Sequence, residues 1–231
     1  MIKIKKLSKQ YNEKVVLNIP ELHIVQGECV GLVGNNGAGK TTLFSLILDL
    51  IRPTSGEVAI RDIRVSESEE WKRVTTSFID ESFLIGYLTP EEYFYFIGEL
   101  RGVNKATVDA LLQDYADFFN DEILNGRKYL RDFSKGNQKK VGLVASLIGD
   151  PELIIWDEPF ANLDPSTQIR LKNILSGLTA GRDKTILISS HDLSHTVDVT
   201  DRIVVLEKGV VVKDIQSSPD TLRELESFFQ V

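Results

Sequence analysis

Cys29-Val30-Gly31-Leu32-Val33-Gly34-Asn35-Asn36-Gly37-Ala38-Gly39-Lys40-Thr41-Thr42-Leu43-Phe44-Ser45-Leu46-Ile47 decides the fold of this 231-residue chain. The run Cys29–Val33 is apolar and strand-like, and the residues from Leu43 onward read as a helix. Between them, Gly34 to Thr41 has the spacing of a phosphate-binding loop in the strand–loop–helix setting that such a loop requires. Glycine lets successive backbone N–H groups turn inward and approach an anion closely. The helix start adds partial positive charge. In this pattern Lys40 reaches the terminal phosphates and the Thr41 hydroxyl ligates a divalent cation. Asn35, Asn36, Gly37, Ala38, Gly39 and Thr42 complete the cradle.

Outward from the loop, strand signals fall at Ile2–Leu7, Leu22–Val25, Val58–Ile60 and Thr75–Ile79, then at Leu153–Trp156, Thr185–Ser189 and Ile203–Leu206. The middle of the chain is helical instead, with Glu91–Arg101, Lys105–Ala116 and Lys135–Ile148 as its helices and Pro165–Leu178 following later. Strands alternating with helices predict a mostly parallel α/β sheet. The helical block predicts an inserted subdomain, about 85–149, within a single domain whose core is 1–80 and 150–231. Ser218-Pro219-Asp220 has the chemistry of a further helix start.

A second site signal closes the strand Leu153-Ile154-Ile155-Trp156 with two adjacent carboxylates, Asp157 and Glu158. Side chains alternate along a strand, so the two can take different roles. Alone, such a junction is ordinary. Next to a phosphate loop it gives Asp157 a place in a Mg²⁺ shell and Glu158 the task of polarising an attacking water.

Between these motifs Phe133-Ser134-Lys135-Gly136-Asn137-Gln138 opens a helix, and Ala161-Asn162-Leu163-Asp164 and Ser189-Ser190-His191-Asp192 follow. This order resembles the ATP-binding cassette of ABC transporters over about Leu7 to Leu206. The resemblance implies a P-loop NTPase core with an N-terminal antiparallel β portion, ATP and Mg²⁺ as cofactors, and ATP hydrolysis with Glu158, His191 and Lys40 as catalytic residues. It makes Ser134, Gly136 and Gln138 the signature that closes over a nucleotide held by the opposite protomer, Asp164 part of the D-loop, and Tyr11 the aromatic that stacks on adenine. Lys135 and Asn137 depart from the commonest form of the signature. The family has Gln in the loop joining core to helical subdomain; here Asp80 stands at that position as a metal ligand, with Glu81 one residue away. The implied partners are a second cassette, in a homodimer or a pair, and an integral-membrane permease reached from the cytoplasmic face. The resemblance leans towards exporters. A soluble cassette acting on ribosomes or DNA is the alternative, though the chain shows one cassette and no sustained heptads. An unrelated GTPase or small-molecule kinase lacks support, for there is no Asn-Lys-x-Asp guanine-reading motif.

The composition agrees. A net charge of −7 with no dense Lys/Arg run argues against a nucleic-acid substrate. Cys29 is the only cysteine, so no internal disulfide forms and a reducing, cytoplasmic setting is expected. No apolar run is long enough to span a bilayer. Tyr93-Phe94-Tyr95-Phe96 reads as helix core plus an exposed edge, or, with Phe83 and Leu84, as the lining of a groove for a permease helix.

Overall fold

The computed structural model describes residues 1–229. Two sheets are built. The first is antiparallel, in the order β2 (Lys14–Ile24), β1 (Ile2–Tyr11), β4 (Ser55–Ile60) and β5 (Ile63–Arg64). The second holds β10 (Val210–Gln216), β9 (Arg202–Glu207), β3 (Cys29–Val33), β8 (Thr185–Ser190), β7 (Leu153–Trp156) and β6 (Thr75–Phe78) in that order. Five of its strands run parallel and β10 pairs antiparallel with β9. Their carboxyl ends gather along one edge, where ligands of such sheets bind.

The parallel sheet separates two cores, and its strands sort their side chains by parity. Leu153, Ile155 and Leu187 face a core shared with the antiparallel sheet and with α1 (Lys40–Ile47), through Leu43, Phe44, Leu46 and Ile47. Ile154, Trp156, Ile186 and Ile188 face the helical block. That block comprises α2 (Pro90–Leu100), α3 (Lys105–Asp114), α4 (Ala116–Phe119) and α5 (Lys135–Ala145). Phe94, Phe118, Phe119, Val141, Leu143 and Val144 supply its side of the interface. Trp156 Nε1 also donates to Ser146 Oγ at 2.8 Å, so a strand and the end of α5 share a buried polar bond.

Local chemistry fixes the helix starts. Thr89 and Glu92 form a reciprocal capping box around Pro90 at the first turn of α2. Asn104 caps α3 and Ser134 caps α5. The helix predicted over Lys105–Ala116 is broken at Tyr115, after which Ala116–Phe119 forms its own turn and ends on the left-handed Asn120. α6 (Pro165–Thr179) and α7 (Leu193–Val197) lead into and out of β8. α8 (Thr221–Phe229) starts two residues beyond Pro219, with Ser218 Oγ 3.1 Å from Thr221 Oγ1, and buries Leu225 against Val33, Ile203 and Val205.

Candidate nucleotide site

The loop Gly34–Gly39 carries the chain from the end of β3 into α1. Gly39 adopts φ 108°, a conformation that side-chain-bearing residues rarely adopt, and its carbonyl then accepts the Leu43 N–H at 2.9 Å to open the helix. Asn35, Asn36 and Gly37 are exposed, while Ala38 is buried. Lys40 is only 6% exposed. Its ammonium folds back along the loop to donate to Gly34 O at 2.6 Å and lies 3.3 Å from Glu158 Oε1. Thr42 stands on the first turn of α1, half-buried.

The end of β7 faces this loop. Asp157 is 5% exposed and accepts hydrogen bonds from Thr41 Oγ1 at 2.5 Å and from Ser189 Oγ. Burial pushes its carboxyl above the usual carboxylate range, while the two hydroxyl donors pull the other way and the neighbouring Glu158 charge adds to the rise. Hard oxygen donors at this position suit a divalent cation. Glu158 has φ 48°. Its N–H donates to Ser189 Oγ at 2.9 Å and its carbonyl accepts from Lys139 Nζ at 2.7 Å. Its carboxylate reaches Lys40 on one side and His191 on the other, with Nδ1 2.8 Å from Oε2. Lys40, Thr41, Asp157, Glu158 and His191 therefore form one connected group. Ser189 belongs to it and was not singled out from the sequence; its signal is a polar residue at the buried end of an otherwise apolar strand.

Tyr11, Asp80, Ser134, Gly136, Gln138 and Asp164 lie outside that hydrogen-bonded group among the described residues. Ser134 caps α5 by accepting the Asn137 N–H at 3.3 Å and is exposed. Gly136 has no room for a side chain: a Cβ there would lie 2.7 Å from the Asn162 carbonyl. Gln138 turns inward, donating to Leu130 O and Phe133 O, and braces the segment that leads into the helix. Asp164 caps α6 and accepts from Ser166 Oγ, Thr167 Oγ1 and Thr167 N, bonds that hold its carboxyl well below the usual range. Tyr11 is 50% exposed at the end of β1, with Lys9 Nζ 4.7 Å from its ring centre.

Asp80 and Glu81 face different ways. Asp80 is exposed and caps a 3₁₀ turn over Glu81–Phe83 by accepting the Ser82 N–H at 2.7 Å, which lowers its carboxyl. The Glu81 side chain is 8% exposed and points towards Lys139 and Lys135 of α5.

Beside that turn lies a cavity of about 360 Å³ between the core and the helical block, lined among others by Leu50, Phe83, Leu84, Tyr93, Ile97 and Leu100. Phe94 is buried in the helical core. Tyr95 points away from the cavity, its hydroxyl donating to Asp109 Oδ1 at 2.7 Å.

Comparison with known proteins identifies the family. A family model described as ABC transporter matches residues 17–161. The bacitracin transport ATP-binding protein BcrA of Enterococcus faecalis is 34% identical over 94% of this chain and 70% of its own length. The lantibiotic transport ATP-binding protein SrtF of Streptococcus pyogenes is 30% identical over 99% of this chain and 96% of its own. Among solved structures, the ATP-binding subunit of an ABC transporter superposes with a TM-score of 0.85 at 29% identity, covering 98% of this chain and 93% of that one. A dimeric ATP-binding cassette bound to ADP and Pi shares the fold at 24% identity and a TM-score of 0.82, over 94% of this chain and 99% of that one. With the phosphate loop, the Asp157–Glu158 pair and His191 held together on a cassette fold, the chain belongs to the ABC transporter family, as one of its ATP-hydrolysing cassettes.

Proposed function

We propose that this chain is the motor subunit of an exporter, hydrolysing ATP between two cassettes and driving a separate permease from the cytoplasmic face of the membrane. The observation that carries it is the Glu158 carboxylate, fixed between Lys40 and His191 at the mouth of the phosphate loop. Export is supported by the relatives, whose names include bacitracin transport, lantibiotic transport and Nod factor export.

The loop amides and Lys40 bind the phosphates of ATP, which requires the Lys40 ammonium to exchange its contact with Gly34 O for phosphate oxygens. Tyr11 covers the adenine. Thr41 and Asp157 would hold Mg²⁺, which would supply positive charge to offset that of the bound phosphates. Glu158 accepts a proton as water oxygen bonds to the γ-phosphorus and the bond to the β,γ-bridging oxygen breaks, giving ADP and phosphate. His191 holds Glu158 in place and faces the γ-phosphate. Ser134 and Gly136 of a second copy close over the nucleotide, where the open start of α5 meets its negative charge. Asp164 shapes the loop at that interface, and Gln138 keeps the signature segment in register from behind. Asp80, at the Gln position of the family, would be a further Mg²⁺ ligand while one of its oxygens caps the Glu81–Phe83 turn, and Glu81 beside it faces Lys139 of α5. The cavity beside Phe83 and Tyr93 receives a short helix of the permease.

Glu158→Gln tests the motor reading. Turnover should fall by about 10²-fold or more, and the variant should persist as an ATP-bound dimer in gel filtration while the wild type does not. A Glu158→Gln protein that hydrolyses ATP at the wild-type rate sinks it. The partner is tested by affinity capture of the tagged chain from detergent-solubilised membranes. A stoichiometric multi-span protein supports the transporter role, whereas ribosomal or chromosomal proteins overturn it.

A further inference from the structure

We propose that Lys139 is a positioning residue for Glu158, and that Glu81 competes for it, so that the turn beside the permease cavity bears on the base through one buried ammonium. The proposal rests on Glu158 being the general base.

Lys139 lies one turn into α5 from the Ser134 cap, and its side chain is 5% exposed. A lysine that deep requires partners. It has two: the Glu158 carbonyl at 2.7 Å and Glu81 Oε1 at 3.5 Å. The carbonyl contact matters because of the backbone it fixes. Glu158 sits in the left-handed region at φ 48°, unfavourable for a residue with a side chain. Both of its peptide groups are pinned there, the N–H by Ser189 Oγ at 2.9 Å and the carbonyl by Lys139. With both pinned, the Cα–Cβ bond has one direction, and the carboxylate falls between Lys40 and His191. The carbonyl also accepts the Ala161 N–H at 3.2 Å. Released from the shorter, charged Lys139 contact it keeps only that bond, and the residue relaxes towards an ordinary φ, carrying the carboxylate off its station.

Glu81 makes this tether adjustable. Its Oε1 is buried and has no hydrogen-bond partner, so charge attraction at 3.5 Å is what relates it to Lys139. Two residues on, Phe83 lines the cavity. A displacement of that turn moves the Glu81 carboxylate towards or away from the ammonium, strengthening or weakening its hold on the Glu158 carbonyl. Lys135, 3.9 Å from Glu81 Oε2 and exposed, adds a second positive charge from the α5 start.

The test is a set of full-chain variants assayed for MgATP hydrolysis and for trinitrophenyl-ATP binding. Lys139→Met should lower kcat about 10- to 100-fold, with KM and nucleotide affinity within about twofold of wild type. Lys139→Arg, which keeps a donor and a charge, should recover most of the loss. Because Lys139→Met strands Glu81 as a buried anion, the double variant Lys139→Met/Glu81→Gln provides a neutral, folded comparison, and it should remain as slow as Lys139→Met. Recovery of wild-type turnover in the double variant would overturn the proposal, since it would mean that only charge balance mattered. A parallel loss of nucleotide affinity and kcat would overturn it too. Failure of the underlying assignment is read separately: Glu158→Gln at full turnover removes the base itself, whatever Lys139 does.

Discussion

The phosphate loop and the start of α5 differ in where their charges are met. At the loop every ionic group is answered from within the chain: Lys40 by Gly34 O and Glu158, Asp157 by Thr41 and Ser189, and Glu158 by Lys40 and His191. At α5 the exposed Ser134 satisfies only one of the free amides at the helix start. The first half is a self-compensated charge cluster, buried at Lys40 and Asp157, whose internal contacts must rearrange to admit a ligand. The second is an open helix end that gains only when an anion arrives from outside. The split site proposed above needs both kinds of surface. The half that binds first has to be self-sufficient, and the half that closes last has to remain unsatisfied until it closes.

Substitutions at three positions probe that contrast. The largest effect belongs to Lys40→Ala, which removes the cation from the self-compensated half. Turnover should fall by about 10²- to 10³-fold, measured as steady-state MgATP hydrolysis, and retained turnover would mean that the loop amides alone suffice. Ser134→Ala should act on the open half at two levels. Loss of the cap costs about 1 kcal/mol, seen as a melting temperature lower by about 2–4 °C. The ATP-dependent dimer of a Glu158→Gln background should weaken about tenfold as well. Ser134→Asp sharpens the reading, since aspartate caps a helix as well as serine does but repels a phosphate. Stability should return and dimerisation should not, and recovery of both would reduce Ser134 to a cap. The smallest effect is that of Asp157→Asn on the nucleotide-free protein. Burial raises the Asp157 carboxyl, so its protonated form is favoured in the fold. That contribution to stability is complete below the ordinary carboxylate range and is lost as pH rises through the raised value. At neutral pH the amide should raise the melting temperature by about 2–4 °C, with a flatter pH dependence. A lower melting temperature would show that the Thr41 and Ser189 bonds outweigh the desolvation.

Much of this was legible in the sequence, for identifiable reasons. β3 and β7 are fully apolar and end at motif residues, so Cys29–Val33 and Leu153–Trp156 fall as predicted. The helical block announces itself through Pro90, its capping Thr89 and the aromatic run. Other features are set by contacts between distant residues and leave a fainter trace. β10 was missed because it is a half-exposed edge strand whose hairpin turns through Lys208 and Gly209 at φ 48° and 81°, without the Asn-Gly or Asp-Gly that marks such turns. Aligning the chain with the family pattern puts Asp80 at the Gln position, but that Asp80 is exposed and caps a turn while its neighbour Glu81 faces α5 is visible only in three dimensions. Tyr93 and Tyr95 stand two apart on a helix and so face apart: the first lines the cavity, while the second reaches Asp109. Lys139 carries no motif signal at all, because its importance lies in a backbone carbonyl that only the fold brings near.

The position of β3 also dictates an order of events during synthesis. This strand delivers the phosphate loop, yet its two neighbours in the sheet, β8 and β9, are drawn from Thr185–Glu207. A nascent chain that has emerged through α6 holds the loop and its cradle sequence with no partner on either side of the strand beneath it. Such distant pairing is slow to form and leaves strand edges open meanwhile. Nucleotide capture therefore cannot template the early stages of folding. It becomes available only when β8 and β9 have arrived, and a ribosome-stalled fragment ending near residue 180 should emerge unable to hold ATP.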